Sequence, residues 1–75
     1  MKKYNPKESS DLISLYEQID ALIDSGFRFS LRHNPYEKTI TITSVTDVDR
    51  LKHKFSDFYI YLDGHNKVAE RVFVY

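Results

Sequence analysis

The chain contains no cysteine and only two glycines among its 75 residues. Without cysteine, the protein can form neither a disulfide framework nor a thiolate metal site. Gly26 and Gly64 lie too far apart for a glycine-rich phosphate-binding loop. No apolar run reaches the roughly 18 residues that a membrane-spanning helix requires. These absences argue against several common kinds of site, and we expect no membrane contact, no metal and no cofactor.

The chain also lacks an excess of either charge, since eleven Lys and Arg balance eleven Asp and Glu. A protein that coats nucleic acid, or one that mimics it, normally shows a strong imbalance. The first residues, Met1–Pro6, carry the positive charge of a signal peptide but no apolar region behind it. We therefore expect a cytoplasmic protein.

Aromatic residues are abundant for so small a chain, with six Tyr and five Phe against two Ala. A chain of this length buries only about 60% of the surface that its unfolded form exposes, so oligomerisation could supplement the core. Aromatic side chains supply a large contact area per residue in a small core and at an interface.

The segment from Ser9 to Gly26 is predicted to be the main helix, with Ser9 or Ser10 as its cap and Gly26 at its end. Its apolar residues at helical spacing are Leu12, Leu15, Tyr16, Ile19, Leu22 and Ile23. We expect this stripe to face the core, and we treat residues 1–8 as an N-terminal arm outside a single domain, 9–75.

The opposite face of this helix carries an acidic strip, formed by Glu17, Asp20 and Asp24, with Ile13 between them. No Lys or Arg lies three or four residues from these acids on the helix, where it could pair with them. A solvated helix face is one interpretation of this strip. A binding surface for a basic partner is the other.

Four segments alternate with the period of a β-strand, at residues 27–32, 38–43, 58–62 and 68–75. Between the two hairpins, Thr46 to Asp49 has a Thr-x-x-Asp capping pattern and predicts a short second helix. The predicted fold is therefore α+β, in the order α-β-β-α-β-β, with a four-stranded, mostly antiparallel sheet and two helices. The residues expected to join the long helix in the core are Phe27, Phe29, Ile40, Ile42, Leu51, Phe55, Ile60 and Val72.

The C-terminal hairpin gives the clearest indication of an interaction surface. If Phe58, Ile60 and Leu62 face the core, a loop of three or five residues places Val68, Val72, Val74 and Glu70 beside them. The residues then left on the other face are Tyr59, Tyr61, Arg71, Phe73 and Tyr75. Such an aromatic face would mark a protein-binding surface. Alternatively, one helix covers each face of the sheet and the tyrosines belong to the core, or a register slip of one residue removes the pattern.

Basic residues offer a second possibility, a nucleic-acid surface on one sheet face and the second helix. The residues that would form it are Arg28, Arg32, Lys38, Arg50, Lys52 and Lys54, with His53 beside them. His33, His53 and His65 have no neighbouring nucleophile and carboxylate that would form a catalytic triad, and no His or carboxylate spacing is typical of a metal site. We therefore expect no enzymatic activity.

Taken together, the sequence predicts a non-enzymatic protein-binding module, a small inhibitor or regulator of a partner protein. In size and composition it is similar to phage or mobile-element inhibitors of host machinery, including anti-CRISPR proteins. The predicted protein-binding residues are Ile13, Glu17, Asp20, Asp24, Tyr59, Tyr61, Arg71, Phe73 and Tyr75. A small nucleic-acid-binding protein and a structural homodimer remain the alternatives.

Overall fold

The computed structural model describes residues 9–75, with side chains in the first helix described from Ile13 onward. Its elements are α1 (Ser9–Asp24), β1 (Ser30–Asn34), β2 (Thr39–Ser44), α2 (Val48–Lys54), β3 (Tyr59–Asp63) and β4 (Asn66–Val74). The strands form one antiparallel sheet in the order β1-β2-β4-β3. The predicted α+β fold and order of elements are confirmed. The predicted arm, residues 1–8, and the side chains of Ser9, Ser10 and Leu12 lie outside what the structure describes.

Helix α1 ends at a left-handed glycine, as the sequence predicts. Gly26 has a φ of 78°, and its N–H donates to the carbonyl of Ile23 at 3.0 Å. The N–H of Phe27 donates back to the carbonyl of Leu22 at 3.1 Å. These two bonds form a Schellman motif, which satisfies carbonyls in the last turn and directs Phe27 into the core.

Both helices pack on the same face of the sheet, which we call the covered face. Directly paired residues of antiparallel strands share a face, and so do residues two apart on one strand. Ile40 pairs with Phe73, so the register places Ile42, Ala69 and Phe73 on one face. These residues join Leu22 of α1 and Leu51 of α2 in one buried cluster. The opposite side, which we call the open face, has no helix over it among the described residues. The alternative of one helix on each face is therefore wrong.

The turn between β3 and β4 has two residues, not three or five. Asp63 pairs with Asn66, which leaves only Gly64 and His65 in the loop. Gly64 has a φ of 66° and His65 does not have a positive φ, the pattern of a type II′ turn. Side chains alternate between the two faces along a strand. A loop with an even number of residues, where an odd number was predicted, therefore moves every β4 side chain to the face opposite the predicted one.

Several sequence predictions are corrected by this register. Phe73, expected outside, is buried on the covered face, whereas Val72, expected in the core, lies on the open face and is 49% exposed. Val68 is buried but on the open-face side, opposite Tyr61. Leu62 has the predicted orientation and yet is 71% exposed, because it lies at the end of β3 next to the turn.

The bounds of the strands and the start of the second helix also differ from the prediction. The first strand begins at Ser30 and not at Phe27, which belongs to the Schellman turn, and the ladder with β2 starts at Ser30. Helix α2 begins at Val48 with Asp47 as its N-cap, in a left-handed conformation with φ 51° and no side-chain capping bond. The predicted cap by Thr46 is therefore wrong.

The centre of the core lies between the two helices and the sheet. Its fully buried large side chains are Leu22, Ile42, Leu51 and Phe58. Phe55 lies between Phe58 and Phe27 in edge contacts, with ring centroids 6.3 and 5.9 Å apart. The remaining predicted core residues, Phe29, Ile40 and Ile60, are partly buried against this cluster.

Replacing Phe58 by Ala should lower the free energy of unfolding by about 3–5 kcal/mol, because it leaves a large cavity in a close-packed core. Leu62→Ala, in the same hairpin, should change it by less than about 0.5 kcal/mol, because Leu62 is mostly exposed. Urea unfolding of both variants measures the difference. Equal effects would show that Phe58 is not buried, or Leu62 not exposed, as described.

Candidate protein-interaction surface

The outward side of α1 exposes three large apolar side chains. Ile13 is 57% exposed, Tyr16 61% and Ile23 60%. At about 100° per residue, these three lie within an arc of about 120° that also includes the acidic strip. We call this arc the α1 outward surface, formed by Ile13, Tyr16, Glu17, Asp20, Ile23 and Asp24.

The acids of this surface have no charged partner among the residues that the structure describes. The ion pairs found there join Arg50 to Asp47, Lys67 to Asp49 and Arg71 to Asp57, and none of them includes an acid of the α1 outward surface. The last turn of α1 has no basic residue, so Asp24 opposes the helix dipole there. Three carboxylates and three apolar side chains thus share one solvent-facing arc.

Tyr59 and Tyr61 lie on the open face, as predicted, on the edge strand β3. Their rings stack at a centroid distance of 6.0 Å and an interplanar angle of 23°. Tyr59 is 66% exposed, and Tyr61 is half-buried opposite Val68. The pair therefore forms an aromatic ridge on the side of the sheet away from α1.

The other predicted aromatic contacts are not on this ridge. Phe73 is buried under the helices, and Tyr75 follows it at the end of β4, where its hydroxyl shares a hydrogen bond with Nε2 of His33. The register places His33 on the covered-face side of β1. The predicted grouping of Phe73 and Tyr75 with the two tyrosines is therefore wrong, because it depended on the loop length.

Arg71 is a structural residue on the covered face. Its Nη1 donates a hydrogen bond to Oε1 of Gln18, and its Nη2 lies 3.6 Å from a carboxylate oxygen of Asp57. The guanidinium carbon is 4.4 Å from the centroid of the Phe73 ring. Arg71, on β4, thus connects this strand to α1 and to the segment that precedes β3. Beside it lies an open cleft of about 260 Å³ lined by Ser14, Glu17, Gln18, Ala21 and Arg71.

Two of the predicted nucleic-acid contacts also serve the fold. The Nζ of Lys52 donates to the carbonyls of Ser56 and Phe58, at 2.9 and 2.6 Å. The guanidinium of Arg50 lies 4.3 Å from the centroid of the Phe27 ring and pairs with Asp47 at 3.5 Å. Both side chains hold the ends of α2 in place.

The remaining predicted basic residues are spread over the molecule. Arg32 lies on the open face, whereas α2, which carries Lys54, packs on the covered face. Arg28 precedes β1, and Lys38 lies at the other end of that hairpin, where its φ is 55°. The structure therefore does not bring the six basic residues onto one surface.

Within residues 9–75, no three His, Asp or Glu side chains are grouped closely enough to hold a metal ion. No helix of this part of the chain is long and apolar enough to cross a membrane. Comparison of the chain with models of protein families, with curated proteins and with solved structures finds no match.

Sequence reasoning placed Tyr16 and Ile23 in the core, and the structure places them on the α1 outward surface. Their spacing from Asp20 in the sequence could have shown that these two residues are exposed. Ile23 follows Asp20 by three residues and Tyr16 precedes it by four, so both must lie next to that acid on the helix. Both residues therefore lie at the margin of the predicted apolar stripe, on the side next to the acids.

The contacts of Lys52 with two carbonyls predict that this side chain stabilises the fold. Lys52→Gln should lower the free energy of unfolding by about 1–2 kcal/mol, because two carbonyls lose a charged donor. Lys54→Gln, the exposed neighbour on the same helix, should change it by less than about 0.5 kcal/mol. Thermal unfolding distinguishes the two, and equal values would argue against a structural role for Lys52.

Proposed function

We propose that this protein is a non-enzymatic protein-binding module whose α1 outward surface docks into an apolar groove flanked by basic residues on a partner protein. The observation that carries the proposal is the exposure of three large apolar side chains, about 60% each, among three carboxylates on one helix face. Large apolar residues clustered at solvent-facing helical positions are typical of helix-in-groove recognition.

The spacing of the apolar residues supports this mode of binding. Ile13 and Tyr16 are three residues apart. Ile23 follows Tyr16 by seven residues, which is two helical turns, and lies on the same side of the helix. Complete burial of such a side chain contributes about 1.5–3 kcal/mol, so burying the exposed part of three gives several kcal/mol. Part of that free energy offsets the loss of motional freedom on association, which leaves room for a moderate affinity.

The carboxylates of the surface define the chemistry of the partner. An acidic arc with no cation among the described residues repels acidic surfaces and attracts a groove with Lys or Arg at its rim. Such charges mainly raise the association rate and exclude wrong partners. The partner is therefore expected to be a protein with a basic, apolar groove rather than nucleic acid.

The mechanism follows from this mode of binding. Since the protein would fill its partner's groove, it would act as an inhibitor or regulator by occupying a surface that another molecule needs. The likeness to phage and mobile-element inhibitors in size and composition supports this role and a cytoplasmic location. Inhibition or regulation by occupying a surface requires no catalysis by this chain.

The test begins with capture of the partner by the full chain from nuclease-treated lysate, followed by affinity measurement with the purified partner. Tyr16→Ala combined with Ile23→Ala should raise the dissociation constant about 30-fold or more, because both anchors are lost. Asp20→Lys combined with Asp24→Lys should lower the association rate about tenfold and reduce its salt dependence.

Matched controls come from the end of β3. Leu62→Ala removes an exposed apolar side chain, and Asp63→Lys reverses an exposed acid, both away from α1. These variants should bind within about threefold of the wild type. Binding that is unaffected by the α1 variants, or recovery of partners only without nuclease and at low salt, would contradict the proposal.

A further inference from the structure

The cleft beside Arg71 has one wall on α1 and the other on β4. Its volume is about 260 Å³, and it is open to solvent. An engineered cavity of about 150 Å³ binds benzene, so the cleft has room for a side chain of another molecule. The helix residues that line it lie within an arc of about 100° and are Ser14, Glu17, Gln18 and Ala21.

Gln18 contributes a buried amide with unused donors to this cleft. The residue is only 7% exposed, and its Oε1 accepts a hydrogen bond from Nη1 of Arg71. Because a guanidinium can only donate, this contact identifies the amide oxygen, and both N–H groups belong to Nε2. No residue that the structure describes supplies an acceptor for Nε2. Buried polar groups are nearly always hydrogen-bonded, so an acceptor that enters the cleft would satisfy this amide.

Arg71 provides further donors next to the Gln18 amide. Its guanidinium is held by Gln18, by Asp57 at 3.6 Å and by the ring of Phe73 at 4.4 Å. These contacts leave some of its five N–H groups unused. A single oxygen of a ligand can therefore accept hydrogen bonds from both side chains.

Glu17 provides an acceptor at the other edge of the cleft. At about 100° per residue, Gln18 and Glu17 lie at the two ends of the lining arc of α1. An ionised carboxylate only accepts hydrogen bonds, and Glu17 has no charged partner among the described residues. The cleft thus has donors at one edge and an acceptor at the other, with one positive and one negative group.

We infer that this cleft binds a primary carboxamide, the side chain of an asparagine or glutamine residue of the partner protein. The carbonyl oxygen of the carboxamide accepts from Nε2 of Gln18 and from Arg71, and its NH₂ group donates to Glu17. A carboxylate in this position would be repelled by Glu17, and an ammonium or guanidinium by Arg71. A neutral group with both a donor and an acceptor fits best.

The source of the carboxamide rests on the proposed function. Glu17 belongs both to the cleft and to the α1 outward surface, so a partner docked on that surface lies next to the cleft. A site that hydrogen-bonds a polar group rejects analogues that lack it, because its own buried groups are then left unpaired. The cleft would therefore add specificity to an interface whose other contacts are apolar and acidic.

The amide preference can be tested on the full chain without the partner. Gln18 is the only glutamine in the sequence, so its side-chain N–H signals in a nitrogen-15 spectrum report on the cleft. Titration with N-acetyl-glutamine methylamide should shift these signals and saturate with a dissociation constant of about 1–10 mM. The glutamate and norvaline analogues have the same backbone and should bind about tenfold more weakly or less.

Two variants separate ligand binding from a structural role of the same side chains. Gln18→Glu keeps an acceptor for Arg71 but removes both N–H donors, so it should fold and bind the glutamine probe about tenfold more weakly. The Arg71 Nε–H signal reports binding in this variant. Glu17→Gln should weaken binding about threefold or more. Glu37→Gln, the same change at an exposed acid between β1 and β2, is the matched control and should have no effect.

Circular dichroism establishes that each variant is folded. Three results would each overturn the inference: no saturation of the wild type by about 100 mM probe, equal affinity for the three probes, or wild-type affinity in both folded variants. Each of them would leave the proposed function standing. Conversely, unchanged partner binding by the Tyr16 and Ile23 variants would contradict the proposed function, while the amide preference of the cleft would remain.

Discussion

The two-residue turn at Gly64 and His65 determines which side chains of β4 meet the helices. β4 is paired on both sides, with β2 and with β3, so its orientation sets the composition of both faces of the sheet. With two residues in the loop, Phe73 points into the core and Val72 away from it. One residue more would exchange them, and would move Arg71 away from Gln18 and Asp57, its partners on the covered face.

This register leaves the molecule with two different surfaces on opposite sides. The helices cover one face of the sheet, and α1 presents a mixture of carboxylates and apolar side chains to solvent. The other face presents threonine and valine columns with a tyrosine ridge at its edge. Arg71, Lys52 and Arg50 are engaged within the fold, and the other basic residues are spread over the molecule, so they form no third surface.

The sequence predicted the elements and their order because hydrophobic periodicity and turn residues are local signals. It identified Leu15 and Leu22 as core residues and Ile13 as exposed, since the two leucines lie directly opposite the acidic strip on the helix and Ile13 lies within that strip. It misplaced Tyr16 and Ile23, which lie at the margin of the apolar stripe, where burial depends on how far the sheet extends. The faces of β4 depended on loop length, and a five-residue polar segment does not reveal how many of its residues join the strands. The carbonyl contacts of Lys52 required the tertiary fold.

The most direct test of this account is the pairing of β2 with β4, measured by nuclear Overhauser effects between side chains in the labelled protein. The account predicts contacts between the methyl groups of Ile40 and the ring of Phe73, which lie opposite one another on the covered face. Contacts of Ile40 with the methyl groups of Val72 or Val74 in place of Phe73 would show a register shifted by one residue. That result would contradict the assignment of both faces of the sheet.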